Sequence, residues 1–154
     1  MIGVLCLPFM NFMNITRALS DENRVRILMA LRHHEFCVCQ ITAFLDLSPS
    51  TTSKHLSVLK QARLIEGRKV GKWVYYRLAN TPESNEMAKD AIELVIRSIG
   101  DSPTTRRDDS RIKKILEDEK EKYGIDGCDI SDAFHSVAVH SLESDKFVDR
   151  KSVV

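Results

Sequence analysis

The spacing of apolar residues predicts short helices over the first 45 residues. A brief apolar pattern at residues 14–19 precedes Asp21, which is placed to cap a helix over residues 22–32. Within that helix one side is apolar: Val25, Ile27, Leu28 and Leu31. A further helix is predicted around residues 36–45, after which Asp46 and Leu47 turn the chain. Two short helices joined by about three residues make a helix-turn-helix.

Residues 48–78 predict a second helix of this pair followed by a β-hairpin. Ser48 is a favourable N-cap and Pro49 suits the first helical position. One side of the helix would be buried through Thr52, Leu56 and Leu59. Two strands, at residues 64–70 and 73–78, then surround a tight turn at Gly71-Lys72. The predicted fold is mainly α with a β-hairpin wing, a winged helix-turn-helix.

Positive charge is concentrated in this stretch. Residues 48–78 hold seven Lys/Arg against one acid, a net of +6, whereas the whole chain carries only +1. Short polar and basic side chains there are expected to contact phosphates and base edges of duplex DNA: Ser50, Thr51, Ser53, Lys54 and Ser57 on the helix, with Arg68, Lys69 and Lys72 at the hairpin tip. The alternative is a solvated basic face of an ordinary domain.

An amphipathic helix over residues 83–99 has an apolar stripe wider than one small core needs. We expect a helical dimer interface on this stripe and the apolar N-terminal segment, through Ala91, Ile92, Val95 and Ile99. Packing of the stripe within its own chain is the alternative. A two-fold dimer would match palindromic DNA.

Composition and charge divide the chain into three parts. We predict an N-terminal extension at residues 1–12, a winged helix-turn-helix DNA-binding and dimerisation domain at 13–100, and a charged helical extension at 101–154. The extension would begin with a linker at residues 100–105 and would be partly disordered, roughly after residue 141. It holds ten bases and thirteen acids, a net of −3, so DNA contact through it is not expected.

Composition also restricts the class of protein. Hydrophobic content of 43% and charged content of 29% are typical of a soluble globular protein. No apolar run reaches the roughly 18 residues of a membrane span, and the N-terminus lacks the features of a signal peptide. The four cysteines have no dense spacing, so a reducing cytoplasm is expected. A thiol enzyme is the competing class, but no C-x-x-C, nucleophile–base pair or phosphate loop is found, and we expect no enzyme.

Binding of a metal ion or redox chemistry is expected at Cys37 and Cys39, within the helix predicted around residues 36–45. Thiolates select thiophilic ions. On an intact helix the two side chains would point about 200° apart, so binding one ion with both would require the first turn to unwind. That distortion would displace the helix after Ser48 from DNA. Packing as small hydrophobic residues and reversible thiol oxidation are the alternatives.

Four separated motifs carry a resemblance to a known family: LSDENRVRIL at residues 19–28, EFCVC at 35–39, STTSKHL at 50–56 and GKWVYYRL at 71–78. Together they resemble the ArsR/SmtB family of metalloregulatory repressors, over about residues 13–100. The resemblance implies a homodimer that binds operator double-stranded DNA and leaves it when a metal binds. It also implies a non-enzymatic function.

The box EFCVC is similar to that of the arsenite/antimonite sensors of this family and to that of its cadmium/lead sensors. In both, the box cysteines are inducer ligands, which implies this role for Cys37 and Cys39. As(III) or Sb(III) is the expected inducer, with Cd(II) or Pb(II) as the alternative. The arsenite type often has a third cysteine where this chain has Thr42. A third sulfur would then come from Cys6, from Cys128 or from a small thiol.

Overall fold

The computed structural model describes the backbone of residues 2–80 and 86–123, and the side chains of residues 7–80 and 86–119. Cys128 and residues 124–154 therefore lie outside the described part, as does the Cys6 side chain. The elements in chain order are α1 (Ile2–Leu19), α2 (Glu22–Ala30), β1 (Phe36–Cys37), α3 (Val38–Leu45), α4 (Pro49–Gln61), β2 (Ile65–Val70), β3 (Trp73–Leu78), α5 (Glu86–Ile99) and α6 (Pro103–Tyr123). The predicted winged helix-turn-helix is confirmed. No described helix is long and apolar enough to span a membrane.

Helices α3 and α4 form the helix-turn-helix, and local capping sets the ends of these helices and of α2. The Asp21 side chain accepts a hydrogen bond from the Arg24 amide at the start of α2, and the Ser48 side chain accepts one from the Thr51 amide at the start of α4. Asp46 adopts a left-handed conformation (φ 57°) that ends α3 and turns the chain. The predicted inner side of α4 is buried in the main core: Thr52, Leu56 and Leu59.

The sheet has three antiparallel strands in the order β1-β3-β2. The predicted hairpin is present, and Gly71 at its turn has a φ of +57°, a conformation that glycine adopts without steric cost. Strand β1 was not predicted. The expectation of a helix over residues 36–45 is wrong at its beginning, because Phe36 and Cys37 pair with Tyr76 and Tyr75 of β3 and α3 begins only at Val38.

Helix α6 begins earlier than predicted and packs on the body of the fold. The expected linker at residues 100–105 is wrong from Pro103 onward, because the Ser102 side chain caps the amide of Thr105. Helix α6 then lies against α2 and α3. At its start, Arg26 donates two hydrogen bonds to Asp108, at 2.8 and 2.9 Å, and this bonding raises the pKa of Arg26. The helix is therefore anchored to the DNA-binding fold.

Helix α1 is continuous across residue 12, and it packs against α2, α4 and α5. The boundaries predicted at residues 12 and 100 both stay predictions. Ile15 and Ala18 near the end of α1 are buried in the main core. Helix α1 thus contacts α4, α6 contacts α3, and α5 packs against α1 and α2. The cysteine box lies where α3, α6 and the sheet meet.

Candidate metal centre and nucleic-acid interface

Cys37 is the N-cap residue of α3 and lies outside the helix. Its backbone is extended (φ −78°, ψ 167°), whereas Cys39 stands in the first turn. The two Cα atoms are 5.5 Å apart and the two sulfurs are joined in a disulfide. The expectation that both thiols could meet only if α3 unwound is therefore wrong. It assumed that Cys37 had helical backbone angles, and an extended Cys37 brings its sulfur to Cys39 while α3 stays intact.

The two cysteines differ in exposure. Cys37 is only 6% exposed and packs against Tyr75 and Val70 of the wing, whereas Cys39 is exposed to solvent. The Cys37 amide donates a hydrogen bond of 2.9 Å to Oε1 of Gln40, which holds the N-cap conformation. A thiolate at a helix N-terminus is favoured by the helix dipole, and the thiolate is the form that binds metal ions. The pair thus combines one fixed sulfur with one accessible sulfur.

Acidic and basic side chains connect the start of the box to the wing. The Glu35 carboxylate, whose side chain is 9% exposed, accepts a 2.8 Å hydrogen bond from Arg68 of β2 and lies 3.6 Å from Arg77 of β3. Arg77 also donates a 2.6 Å hydrogen bond to Glu66. Burial lowers the pKa of the neighbouring His34. Displacement of the box would therefore affect the wing through this network as well as through the β1–β3 pairing.

The predicted DNA-contacting residues fall into two groups in the structure. Six are exposed on the outer side of α4 and at the hairpin tip: Ser50, Ser53, Lys54, Ser57, Lys69 and Lys72. The other two are half-buried, Thr51 with its hydroxyl 2.8 Å from that of Ser48, and Arg68 in its bond to Glu35. Sequence reasoning did not single out Trp73, which is exposed at the wing tip with the Lys72 ammonium 5.5 Å from its ring centre. An aromatic residue next to the basic turn was the available signal.

The predicted dimer stripe on α5 is largely covered by its own chain. Ile92 and Val95 are each 9% exposed, and Ile92 belongs to the main core. Ala91 and Ile99 are half-buried. Apart from Trp73 and Val74 on the wing, the exposed large apolar residues of the described part lie on α5, at Leu94, and along α1: Leu7, Phe9, Met10, Phe12 and Met13.

Known proteins with similar sequences belong to one family of bacterial regulators. The model of the family "Bacterial regulatory protein, arsR family" matches residues 21–66. The arsenical resistance operon repressor of Bacillus subtilis is 33% identical over 86 residues, which cover 55% of this chain and 81% of that protein. This chain belongs to the ArsR family.

Other members differ in the inducer that their names give. The cadmium resistance regulatory protein CadC of Listeria innocua is 46% identical over 72 residues, 46% of this chain and 60% of CadC. The arsenic resistance regulator ArsR1 of Pseudomonas putida is 42% identical over 65 residues, 42% of this chain and 51% of that protein. The chain thus matches about half to three fifths of the length of these two relatives.

Solved structures agree on the fold. HlyU from Vibrio cholerae is 30% identical, with a TM-score of 0.50, and the match covers 60% of this chain and 95% of HlyU. A homodimeric winged helix-turn-helix domain from Mycobacterium bovis, described as a possible ArsR-family regulator, is 26% identical with a TM-score of 0.51. That match covers 62% of this chain and 83% of the domain.

A third ligand for an ion at the box stays a prediction in this ArsR-family chain. Among the described residues no group of three His, Cys, Asp or Glu side chains could hold a metal ion. The Thr42 hydroxyl, at the position of the third cysteine of arsenite sensors, is buried and has no hydrogen-bond partner within the described part of the chain. The side chains of Cys6 and Cys128, the two predicted sources of a third sulfur, lie outside the described part of the chain.

The difference in exposure between the box thiols predicts a difference in reactivity. In fully reduced protein, iodoacetamide should modify Cys39 faster than Cys37, because the reagent must reach the sulfur and Cys37 is covered by Tyr75 and Val70. Peptide mapping by mass spectrometry after timed quenching measures both rates. Protein in concentrated urea is the control, where the two rates should converge. Faster modification of Cys37 in the folded protein would contradict the arrangement.

Proposed function

We propose that this chain is a metal(loid)-responsive transcriptional repressor that binds operator DNA as a homodimer and is released when As(III) or Sb(III) binds Cys37 and Cys39. The observation that carries the proposal is the convergence of two sulfurs at the N-terminus of α3, the helix that precedes α4. Soft thiolates at this spacing suit a thiophilic ion. A reducing cytoplasm is the compartment in which such thiols would be free to bind.

The position of the box supports a mechanism of release. Cys37 is paired with Tyr75 of the wing and begins α3, which packs against α4. An ion held by Cys37 and Cys39 would favour one arrangement of this junction. If that arrangement differs from the DNA-bound conformation, the ion binds the two conformations with different affinities. It then shifts the population of the protein towards the conformation that does not bind DNA. The route needs no unwinding of α3.

The identity of the ion is the finer part of the proposal. As(III) forms pyramidal complexes with three sulfurs, so the two box thiols plus one more complete its coordination more easily than that of a four-coordinate ion. Cys6 is our first choice for the third sulfur, Cys128 the second, and a small thiol is the remaining source. Cd(II) or Pb(II) is the alternative inducer, and CadC, whose name refers to cadmium, is a relative of this chain.

A second candidate function is thiol redox sensing by the same fold. The Cys37–Cys39 disulfide favours it, since a disulfide is the oxidised form of this pair of thiols. Reduction by a thiol reductant would add two electrons and two protons and give the two free thiols. Metal binding requires that reduced form, so both functions would use the same residues and exclude one another at any moment.

The DNA-binding proposal predicts a change in salt dependence. Lys54→Ala and Lys72→Ala should each weaken binding of a duplex selected by the parent protein from a random pool, because both lysines are exposed on the basic surface. Each lost phosphate contact should reduce the steepness of the log–log salt dependence by about 0.9. Fluorescence anisotropy of labelled DNA at several salt concentrations measures this dependence. As a second readout, the emission of Trp73, the single tryptophan, should change when DNA binds. Lys113→Ala on α6 is the matched control, and an equal loss there would contradict the assignment.

The dimer proposal predicts that exposed apolar residues hold two copies together. Phe12→Glu and Leu94→Glu should each yield monomers in sedimentation, because Leu94 is 53% exposed and Phe12 52% in the single chain, so the changes spare the core. Both are cleaner tests than Val95, which its own chain already buries. The same change at Val74, on the wing, is the control and should leave the mass unchanged. Dimeric Phe12→Glu and Leu94→Glu proteins would place the interface elsewhere.

The inducer proposal predicts a loss of response with DNA binding retained. Under anaerobic reducing conditions, Cys37→Ser and Cys39→Ser should bind the selected duplex like the parent but should not release it when arsenite is added. The reason is that the thiols bind the ion and are not among the side chains of α4 and the hairpin that are assigned to DNA. A titration with As(III), Sb(III), Cd(II) and Pb(II) identifies the inducer. If both variants respond like the parent, the box is structural. Release by an oxidant alone would favour redox sensing.

A further inference from the structure

A polar contact connects the C-terminal helix α6 to the cysteine box. Nε2 of Gln40 donates a 2.7 Å hydrogen bond to the carboxylate of Glu119, while Oε1 of the same side chain accepts the 2.9 Å bond from the Cys37 amide. The side-chain amide of Gln40 thus connects the Glu119 carboxylate to the Cys37 backbone amide by two consecutive hydrogen bonds.

The two partners fix the orientation of Gln40. An ionised carboxylate only accepts hydrogen bonds and a backbone amide only donates them, so the side-chain amide must point its nitrogen at Glu119 and its oxygen at Cys37. Gln40 is 7% exposed, and an unpaired amide at that depth would be costly. Loss of Glu119 would therefore remove the partner that holds the oxygen towards Cys37.

The surrounding packing leaves Gln40 little freedom. Its neighbours on α3 and β1, Phe36 and Phe44, meet Ile112 and Ile115 of α6 around a gap of about 10 Å³, roughly the space of one water molecule. Two other acids of α6 pair with arginines of α2 and of the turn after it: Asp108 with Arg26, and Asp109 with Arg32. Those pairs anchor α6 near its beginning. Glu119, near the end of the described side chains of α6, instead accepts a hydrogen bond from α3.

We propose that Glu119 is a positioning residue that, through Gln40, holds Cys37 in the conformation in which its sulfur meets that of Cys39. Docking of α6 then sets the affinity of the pair for a thiophilic ion. The ion is the one assigned in the proposed function, on which this part of the inference rests. The hydrogen-bond chain itself stands on the geometry of the ion-free protein. The C-terminal extension thereby becomes part of the sensor.

The test compares three variants of the full, reduced chain. Glu119→Ala removes the acceptor for Gln40, whereas Glu119→Gln keeps an acceptor oxygen and removes the charge. Glu117→Ala is the control, since it removes an acid from the exposed side of the same helix, where Glu117 lies 4.0 Å from Lys113. Two quantities are measured: hydrogen exchange of the Cys37 amide by NMR without any ion, and the affinity for arsenite by equilibrium dialysis.

We expect Glu119→Ala to exchange the Cys37 amide faster and to bind arsenite about fivefold more weakly, the scale on which loss of a helix cap changes an equilibrium. Glu119→Gln and Glu117→Ala should match the parent in both measurements. Equal effects of Glu119→Ala and Glu119→Gln would overturn the inference, because charge and not the hydrogen bond would then matter. Unchanged exchange in Glu119→Ala would also overturn it.

The two measurements separate this inference from the proposed function. If the parent binds neither arsenite nor Cd(II), the proposed function fails and with it the statement about affinity. If the parent binds arsenite and Glu119→Ala binds it equally well, the function stands and the positioning role is refuted. A loss of binding in Glu117→Ala as large as that in Glu119→Ala would likewise refute it, since the effect would then belong to α6 in general.

Discussion

The backbone of Cys37 occupies the one position where the sheet, α3 and the candidate metal centre coincide. Its extended conformation lets β1 pair with β3, and its place as N-cap lets α3 begin at the next residue. Gln40 accepts the hydrogen bond of its amide, so this backbone group is satisfied although it is buried. Were residue 37 helical instead, β1 would lose half of its length and the two sulfurs would diverge.

This arrangement explains why the box was only partly predictable. The helix ends at Asp21 and Ser48, the buried side of α4 and the hairpin turn at Gly71 follow from neighbouring residues, and sequence reasoning located each of them. Strand β1 has two residues, too few to show an alternation, and it exists because β3 lies beside it. The convergence of the two sulfurs depends on that pairing, so it was predicted wrongly.

Long-range contacts account for the other differences. Arg26 and Asp108 are separated by 82 positions, and their pairing is one of the contacts that hold α6 on the fold. No local pattern announces such a contact, because a charged helix with a narrow apolar stripe is equally compatible with a solvated extension. Likewise, the apolar stripe of α5 indicated that these residues are buried, but it did not indicate whether the same chain or a second copy covers them. Val95 is covered by its own chain.

The acids of α6 also sharpen the charge pattern of the molecule. Asp108 pairs with Arg26 of α2, Asp109 pairs with Arg32 in the turn after α2, and Glu35 pairs with Arg68 of β2. These arginines are neutralised within the fold, whereas Lys54, Lys69 and Lys72 project from α4 and the hairpin tip. Paired charges contribute little to the field at a distance, so these exposed lysines contribute more than the paired arginines to the attraction for a polyanion. Part of the negative charge of α6 is therefore used in holding this helix to α2 and to the turn that follows it, which reduces its opposition to the basic surface formed by α4 and the hairpin tip.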